Sequence, residues 1–311
     1  MRYYITGFVT GLFSFCLYGQ ELTIHRAVEM ELHSVVGIYY QLQTSADLST
    51  WQNVDAPFRG TGRTLLKTLR TTGNQKFVRT IEVDSGSLTD EDVIFQHSTL
   101  GALLIGLYEG DLPFGEVLQR GNIGLGTFQG VDGELVVLDG KAYRIRVDGS
   151  VSQVEDSTLT PFAVVTFFEP DLTFELENVE SYESFQQQLD ALLPSQNLLY
   201  ALRVKATFDT LTTRSVPVQT RPYPPLVDVV ANQTTFDLAG SSGTMVGFKL
   251  PPYLSEINAT GYHFHFIDDA RSKGGHVLNF SGVNLKVEVD VSDRLELDLP
   301  EQDDFLNADL E

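Results

Sequence analysis

Three of the six histidines in this chain fall within fourteen residues, and their spacing limits how the chain can fold there. His263 and His265 flank Phe264 in a stretch, Gly-Tyr-His-Phe-His-Phe-Ile, that alternates as a strand does. Residues two apart on a strand project to the same face, with Cα atoms roughly 6.5 Å apart. Ten residues separate His265 from His276, and most of them are typical of a long turn. We therefore predict a β-hairpin whose second strand opens at His276 and continues over residues 277–280.

Antiparallel pairing of these two strands would bring the three imidazoles to one point. Three neutral imidazoles with an open fourth position form the layout of a catalytic zinc site. Iron and manganese accept similar ligands, so the spacing alone does not select the metal. A cupin-like oxygenase is an alternative, in which Asp268 or Asp269 would be the carboxylate ligand. Turn residues are the simpler interpretation of these two aspartates.

The charge of the chain disfavours one class of partner. The net charge is −21, from 42 acidic and 21 basic residues, and no run of lysine or arginine offsets it. Nucleic-acid binding depends on neutralising phosphates, so we expect no nucleic-acid partner and no anionic membrane partner. The acidity is interpreted as a contribution to solubility.

The first nineteen residues have the pattern of a targeting segment. Arg2 is followed by an uncharged apolar stretch over residues 3–18, and Gly19 offers a small residue at a cleavage point. The stretch is shorter than the roughly 20 residues needed to span a bilayer. We predict a signal peptide over residues 1–19 and a secreted or periplasmic mature protein. Cys16 is the single cysteine, so cleavage would leave no thiol for disulfides or catalysis.

Two domains are predicted after this segment. Residues 20–85 contain short apolar runs separated by turn sequences, and residues 40–51 resemble small β-sandwich modules appended to many exported bacterial proteins. We interpret residues 20–85 as a small β-sandwich-like accessory module with a structural or adhesive role. Residues 84–92 have mostly short, polar side chains, as a linker does. The second domain is predicted over residues 92–311.

The second domain is predicted to be β-rich α+β, with mixed or antiparallel sheets and a few short helices. One helix is expected from Ser98, as its cap, to Gly110, with a buried face formed by Leu100, Leu103, Leu104 and Leu107. Another is expected over residues 182–193, with Ser181 as its cap and Pro194 after its end. Strands are expected over residues 124–128, 133–138, 142–147 and 162–168.

Six specific motifs follow one another between residues 95 and 310. They are Gly106-Leu107-Tyr108-Glu109-Gly110-Asp111, Gly124-Leu125-Gly126-Thr127-Phe128, Asp132-Gly133-Glu134-Leu135, Thr213-Arg214-Ser215-Val216, Gly261-Tyr262-His263-Phe264-His265-Phe266-Ile267-Asp268 and Gly274-Gly275-His276-Val277. In this order, across about two-thirds of the chain, the motifs resemble those of the acetolactate decarboxylase family.

This resemblance implies decarboxylation of a small 2-hydroxy-3-oxo acid, 2-acetolactate, to acetoin and CO2. It also implies a homodimer, because the family tends to dimerise, and one Zn2+ per chain. The residues that it implies are the zinc ligands His263, His265 and His276, the active-site residues Glu134 and Arg214, and the substrate-contacting Thr127. Without the family, Glu134 would be a polar residue at the start of a strand and Arg214 an ordinary salt-bridge residue.

One departure from the family concerns the C-terminal end. The family commonly carries a second functional glutamate in a C-terminal tail, and this chain ends at Glu311 before that tail. Either Glu311 substitutes for that glutamate, or the step it assists is slower, or the tail is dispensable. A different class of function, a non-catalytic exported metal-binding or adhesive module, is the remaining alternative. It gives no reason for the three histidines, Glu134 and Arg214 to occur together.

Overall fold

A computed structural model describes residues 26–35, 38–59, 64–71, 77–83 and 93–310. The predicted signal peptide, the predicted linker and Glu311 lie outside these residues. The chain divides into two compact units, residues 1–89 and residues 90–311. Within the described ranges, no helix is both long enough and apolar enough to cross a membrane.

All described elements of the first unit are β-strands. They are β1 (Arg26–His33), β2 (Tyr39–Ser45), β3 (Gln52–Arg59), β4 (Thr64–Thr71) and β5 (Phe77–Val83). Strands β1 and β4 form one antiparallel pair, and β2 lies between β3 and β5 in a second antiparallel sheet. In the turn after β2, the carboxylate of Asp47 accepts hydrogen bonds from the backbone N–H groups of Ser49 and Thr50. These bonds give the Ser-Ala-Asp sequence its turn conformation.

The second unit is β-rich with five short α-helices among its described residues, which confirms the predicted fold class. Its strands are β6 (Val93–His97), β7 (Leu112–Pro113), β8 (Ile123–Thr127), β9 (Glu134–Leu138), β10 (Lys141–Ile145), β11 (Val151–Gln153), β12 (Leu159–Thr160), β13 (Ala163–Thr166), β14 (Leu172–Val179), β15 (Leu199–Ser215), β16 (Thr234–Asp237), β17 (Ser242–Leu250), β18 (Gly261–Asp268), β19 (Gly274–Ser292) and β20 (Arg294–Asp298). Its helices are α1 (Leu100–Leu104), α2 (Phe114–Val117), α3 (Tyr182–Leu192), α4 (Leu226–Val230) and α5 (Asp303–Leu306).

Two large sheets organise this unit. The first has the strand order β11-β10-β9-β8-β13-β6-β20, and it is mixed because β20 pairs parallel to β6. The second has the order β14-β19-β18-β17-β15-β16, and an additional pairing of β19 with β15 closes four of its strands into a ring. Strands β7 and β12 form a separate antiparallel pair.

Alternating side chains divide the apolar residues into three cores. The inter-sheet core combines residues of both large sheets and includes Leu125, Val136, Val246 and Ile267. The ring core includes residues of the second sheet and of α3, among them Phe185, Leu202, Phe264, Phe280 and Val287. The outer core covers the other face of the first sheet and includes Phe114, Phe128, Leu135, Val137 and Ala163. Successive residues of β9 therefore enter different cores, as the two-residue repeat of a strand requires.

The first predicted helix is wrong in both its start and its end. Thr99, not Ser98, is the N-cap, since its side chain accepts a hydrogen bond from the backbone N–H of Ala102. The helix ends six residues before Gly110, because Gly106 adopts a φ of +101° and closes a C-terminal cap in which its N–H bonds to the carbonyl of Leu103. Leu104, predicted to be buried, is 48% exposed.

The second helix and the histidine hairpin follow the predictions more closely. Helix α3 spans Tyr182–Leu192, and the side chain of Ser181 caps it by accepting from the N–H of Ser184. The hairpin is confirmed, but its second strand is longer than predicted, because β19 covers Gly274–Ser292 instead of ending near residue 280. The excess length comes from pairing with β15 along nearly the whole of both strands.

Candidate metal centre and catalytic cavity

The three predicted histidines converge on one point at the junction of β18 and β19. His265 lies directly opposite His276 in the antiparallel register. Nδ1 of His276 is 3.2 Å from Nε2 of His263 and 3.2 Å from Nε2 of His265. One ligand nitrogen from each side chain lies within 4.8 Å of the others, and the three could together hold a metal ion.

The alternation of β18 explains why the imidazoles meet. Phe264, between the two histidines, points away from them into the ring core, where its ring is 5.7 Å from that of Phe185. Burial of an aromatic side chain of this size contributes roughly 1.5–3 kcal/mol, so the register that buries Phe264 also sets the direction of both histidines.

Gly275 brings the third histidine close to the other two. A Cβ atom at this position would lie 2.5 Å from the carbonyl oxygen of Arg214, and its φ of +134° also disfavours a side chain. The glycine thus lets β19 approach β15 just before His276. In the pairing of these two strands, His276 lies opposite Arg214.

The arrangement of the imidazole nitrogens suits a shared metal ion better than hydrogen bonds between the rings. Nδ1 of His265 is 2.7 Å from the carbonyl oxygen of Leu135, so Nδ1 donates and the lone pair of Nε2 faces the cluster. Nδ1 of His276 cannot donate a hydrogen bond to both of the Nε2 atoms that it faces, because one ring nitrogen has at most one proton. In a tetrahedral zinc site with Zn–N of about 2.05 Å, neighbouring nitrogens are about 3.3 Å apart, close to the two separations of 3.2 Å that Nδ1 of His276 makes.

The carboxylate of Asp268 is bonded within the hairpin turn. The carboxylate of Asp268 accepts hydrogen bonds from the backbone N–H groups of Ser272 and Lys273 and from the Ser272 hydroxyl. The cluster of possible ligands consists of His263, His265 and His276, without an aspartate. Among the described residues, the carboxylate required for the cupin-like alternative is therefore not supplied by Asp268.

The other predicted site residues line the same cavity as the histidines. Thr127 ends β8 and lies opposite Glu134, which begins β9. Oε2 of Glu134 is 3.4 Å from Nε2 of His265. Arg214 comes from β15, and no hydrogen bond or salt bridge joins its guanidinium to any residue in the described parts of the chain. All six predicted residues surround one cavity of about 320 Å3.

Burial dominates the electrostatics of this cavity. It raises the pKa of Glu134 from 4.5 to about 7, against the opposing effect of the positive charge of Arg214. Burial, with a smaller contribution from the positive charge of Arg214, lowers the pKa of His263 to about 4. Burial also holds the pKa values of His265 and His276 well below 6.5. The imidazoles are therefore neutral at pH 7, as metal binding requires, and the contact between Glu134 and His265 is not an ion pair.

An apolar wall, which the sequence pattern did not predict, completes the cavity. Its residues come from α1, from α4 and from segments between strands, and they include Leu100, Leu103, Val131, Phe162, Val216 and Leu226. Leucines at helical spacing predict a core face, so nothing in the pattern of α1 distinguishes a cavity wall from ordinary core. The combination of an apolar wall with a few convergent polar groups is typical of a small-molecule site, and the volume is near the lower end of the usual range of roughly 300–1,000 Å3.

Comparison with known proteins gives the same family from sequence and from structure. A family model described as alpha-acetolactate decarboxylase matches residues 94–311. The alpha-acetolactate decarboxylase of Methylococcus capsulatus is 43% identical over 221 residues, which cover 71% of this chain and 85% of that protein. That of Methanosarcina mazei is 42% identical over 245 residues, which cover 78% of this chain and 85% of that protein.

The fold agrees with a solved structure from the same group. The crystal structure of alpha-acetolactate decarboxylase from Bacillus subtilis strain 168 superimposes with a TM-score of 0.69 at 40% identity, covering 70% of this chain and 94% of that one. Residues 94–311, which the family model matches, contain the histidine cluster and all the residues that line the cavity. The chain therefore belongs to the alpha-acetolactate decarboxylase family.

Proposed function

We propose that this protein is a zinc-dependent carboxy-lyase that converts 2-acetolactate to acetoin and CO2. The observation that carries the proposal is the single cavity in which three neutral histidines converge beside Glu134, Arg214 and Thr127. The relatives from Methylococcus capsulatus and Methanosarcina mazei are both named alpha-acetolactate decarboxylase. A metal-binding module without catalysis would have no use for an unpaired guanidinium and a buried carboxyl group next to its ligands.

His263, His265 and His276 would hold the zinc ion. Their lone pairs, their neutral state and the separation of their nitrogens suit a divalent metal with nitrogen ligands. When bound, zinc supplies a Lewis acid for the ketone and hydroxyl oxygens of a β-keto acid, whose ketone accepts the electron pair left by the departing CO2. The backbone carbonyl of Leu135 keeps the ring of His265 in the orientation that binding needs.

Arg214 orients the carboxylate that leaves. Its guanidinium faces the cavity without a carboxylate partner from the described residues, so its positive charge is available to an anionic substrate. A planar guanidinium can bind a carboxylate with two parallel hydrogen bonds. This contact would fix the bond between the carboxylate and carbon 2 for cleavage and favour the anionic substrate over neutral molecules.

Glu134 supplies the proton that replaces CO2. Cleavage of the carbon–carbon bond leaves an enediolate, and one of its carbons must gain a proton to give acetoin. With a pKa of about 7, Glu134 is protonated in a substantial fraction of molecules at neutral pH, which an exposed glutamate is not. The carboxyl group then regains a proton from solvent. Delivery from one side of the cavity favours one enantiomer of the product.

Thr127 presents an acceptor to the substrate. Its hydroxyl donates its proton to the carbonyl oxygen of Gly133 at 2.8 Å, so the lone pairs of Oγ1 face the cavity while the proton is already used. Such an oxygen can accept a hydrogen bond from the substrate hydroxyl. The apolar wall opposite excludes water and holds the methyl groups, which limits uncontrolled protonation of the enediolate.

Acetoin formation by the purified protein tests this proposal. Given racemic 2-acetolactate, the protein should release CO2 and form acetoin well above the rate in buffer. The His265→Ala variant is the matched control, since it lacks one of the three proposed ligands, and thermal unfolding checks that its second unit is folded. Equal acetoin formation by the two proteins, or none by the wild type loaded with zinc, would contradict the proposal.

Three further parts of the proposal concern the whole protein. Residues 1–19 act as a signal peptide, so the mature protein should be secreted or periplasmic, and N-terminal sequencing should find its first residue at position 20.

The enzyme forms a homodimer, which light scattering after size-exclusion chromatography measures. Residues 20–85 form an accessory module that takes no part in the chemistry, since all six site residues belong to the second unit.

A further inference from the structure

An ion pair between Asp132 and Arg144 holds the turn that precedes Glu134, and it lies on the side of the sheet that faces away from the cavity. Asp132 comes two residues before Glu134, and its Oδ2 atom accepts a hydrogen bond from Nη1 of Arg144 at 2.7 Å. The side chains of Arg144 and Asp132 are only 14% and 23% exposed, so water screens this pair less than a pair on the open surface. Arg146 adds a weaker contact, with Nε at 3.4 Å from the same oxygen.

The position of Arg144 in the sheet explains why the pair lies behind the site. Arg144 is opposite Leu135 in the register of β9 and β10, and Leu135 faces the outer core. Glu134, one residue earlier, points to the opposite face and lines the cavity. The guanidinium carbon of Arg144 lies 4.1 Å from the ring centroid of Phe128, a cation–π contact that holds the guanidinium in place.

The turn between β8 and β9 has a conformation that needs support. Gly130 and Val131 have φ values of 68° and 49°, and Gly133 has a φ of 94°. A β-branched residue such as Val131 is unfavourable in the left-handed region, at a cost that the surroundings must offset. On the cavity side, the Thr127 hydroxyl bonds to the Gly133 carbonyl. Backbone hydrogen bonds to Tyr108 and Gln219 hold Gly130. On the outer side, the ion pair with Arg144 holds Asp132, two residues before Glu134.

We propose that Asp132 and Arg144 are positioning residues, whose ion pair fixes the turn that places the carboxyl group of Glu134 in the cavity. This inference rests on the proposed function, since it assumes that Glu134 acts in the reaction. Neither Asp132 nor Arg144 lines the cavity, so neither contacts the substrate. Arg214 and the three histidines lie on other strands. The Leu135 carbonyl that bonds to His265 belongs to β9, which the backbone pairing with β8 and β10 holds without the Asp132 side chain, so we expect these groups to keep their positions when the ion pair is broken.

The expected result of breaking the pair is slower turnover with nearly normal substrate binding. A displacement of a catalytic group by about 1 Å can cost about 100-fold in rate, so Asp132→Asn should lower kcat by about 10-fold to 100-fold. KM and the zinc content should stay within about 2-fold of wild type, since the groups that bind substrate and metal are unmoved. Arg144→Lys keeps the charge but loses the planar contact with Phe128, and its kcat should be intermediate.

A matched control breaks an ion pair far from the turn. Arg120 donates to Glu296 at 2.9 Å, with side chains 53% and 47% exposed. Arg120→Gln should leave kcat unchanged. Thermal unfolding of each variant shows whether the second unit is folded, and Arg144→Lys carries the test if Asp132→Asn fails to fold.

A double-mutant cycle separates positioning of Glu134 from a general structural effect. In the Glu134→Gln background, adding Asp132→Asn should lower kcat by less than about 2-fold, because the group that the pair positions is already absent. An equal loss in both backgrounds would overturn the positioning role, as would wild-type kcat in both Asp132→Asn and Arg144→Lys. Failure of the proposed function looks different, because Glu134→Gln alone would then have wild-type kcat.

Discussion

Replacing Glu134 by glutamine should stabilise the metal-free protein at alkaline pH and much less at acidic pH. Burial raises the pKa of this carboxyl group from 4.5 to about 7. A group with a raised pKa holds its proton more tightly in the folded state than in the unfolded state. Its ionisation therefore costs stability as the pH rises from the unfolded pKa through the folded pKa. Glutamine has nearly the same shape and no charge, so it removes this cost.

The two pKa values determine the size of the effect. With 4.5 in the unfolded state and about 7 in the folded state, ionisation of Glu134 costs about 3 kcal/mol at pH 8.5 and about 1 kcal/mol at pH 5. For a domain of this size, about 3 kcal/mol corresponds to an increase of about 6–12 °C in Tm. Glu134→Gln should therefore raise Tm by about this amount at pH 8.5 and by about a third of it at pH 5.

Thermal unfolding followed by far-UV circular dichroism in the presence of a chelator measures this effect. Tryptophan fluorescence is unsuitable, because Trp51 is the single tryptophan and belongs to the first unit. Glu177→Gln is the matched control, since Glu177 is exposed on β14 and its replacement should change Tm equally at both pH values. A Glu134→Gln variant that is no more stable than wild type at pH 8.5, or that is stabilised equally at both pH values, would refute the reasoning.

Three further predictions concern the reaction and the domains. Arg214→Lys should keep the zinc content but lose about 100-fold in kcat, because an ammonium cannot form the two-pronged contact, and steady-state kinetics with metal analysis measure both. Glu134→Gln should keep its zinc but form acetoin of lower enantiomeric purity, since water can then protonate either face, and chiral chromatography measures this. Deleting residues 20–85 should leave a folded, active decarboxylase, and an inert or unfolded product would contradict the predicted boundary.

The histidine cluster was predictable from the sequence because its geometry is local. The alternation of β18 assigns His263 and His265 to one face, and a hairpin brings His276 beside them. Gly275 was part of a recognised motif, but the close approach of β19 to the Arg214 carbonyl depends on pairing with β15, which the sequence pattern does not encode.

The end of α1 and the cavity wall were not predicted, for two different physical reasons. The leucine spacing continues beyond the end of the helix, so periodicity predicted a longer element, although Gly106 was a sufficient signal for a C-cap. The wall combines α1, α4 and loops that are far apart in sequence, and an apolar residue has the same pattern in a core as in a cavity. The raised pKa of Glu134 follows from burial in this cavity. The sequence did not indicate that burial, so a raised pKa could be stated only as a requirement of the proposed mechanism.

Removal and return of zinc test the central claim most directly. We predict that the purified protein contains close to one zinc per chain, and that acetoin formation falls to the rate in buffer after chelation. One equivalent of zinc should restore the activity of the wild type but not that of His265→Ala, which lacks one of the three ligand nitrogens. Full acetoin formation by the metal-free protein, or by His265→Ala without bound metal, would contradict the account.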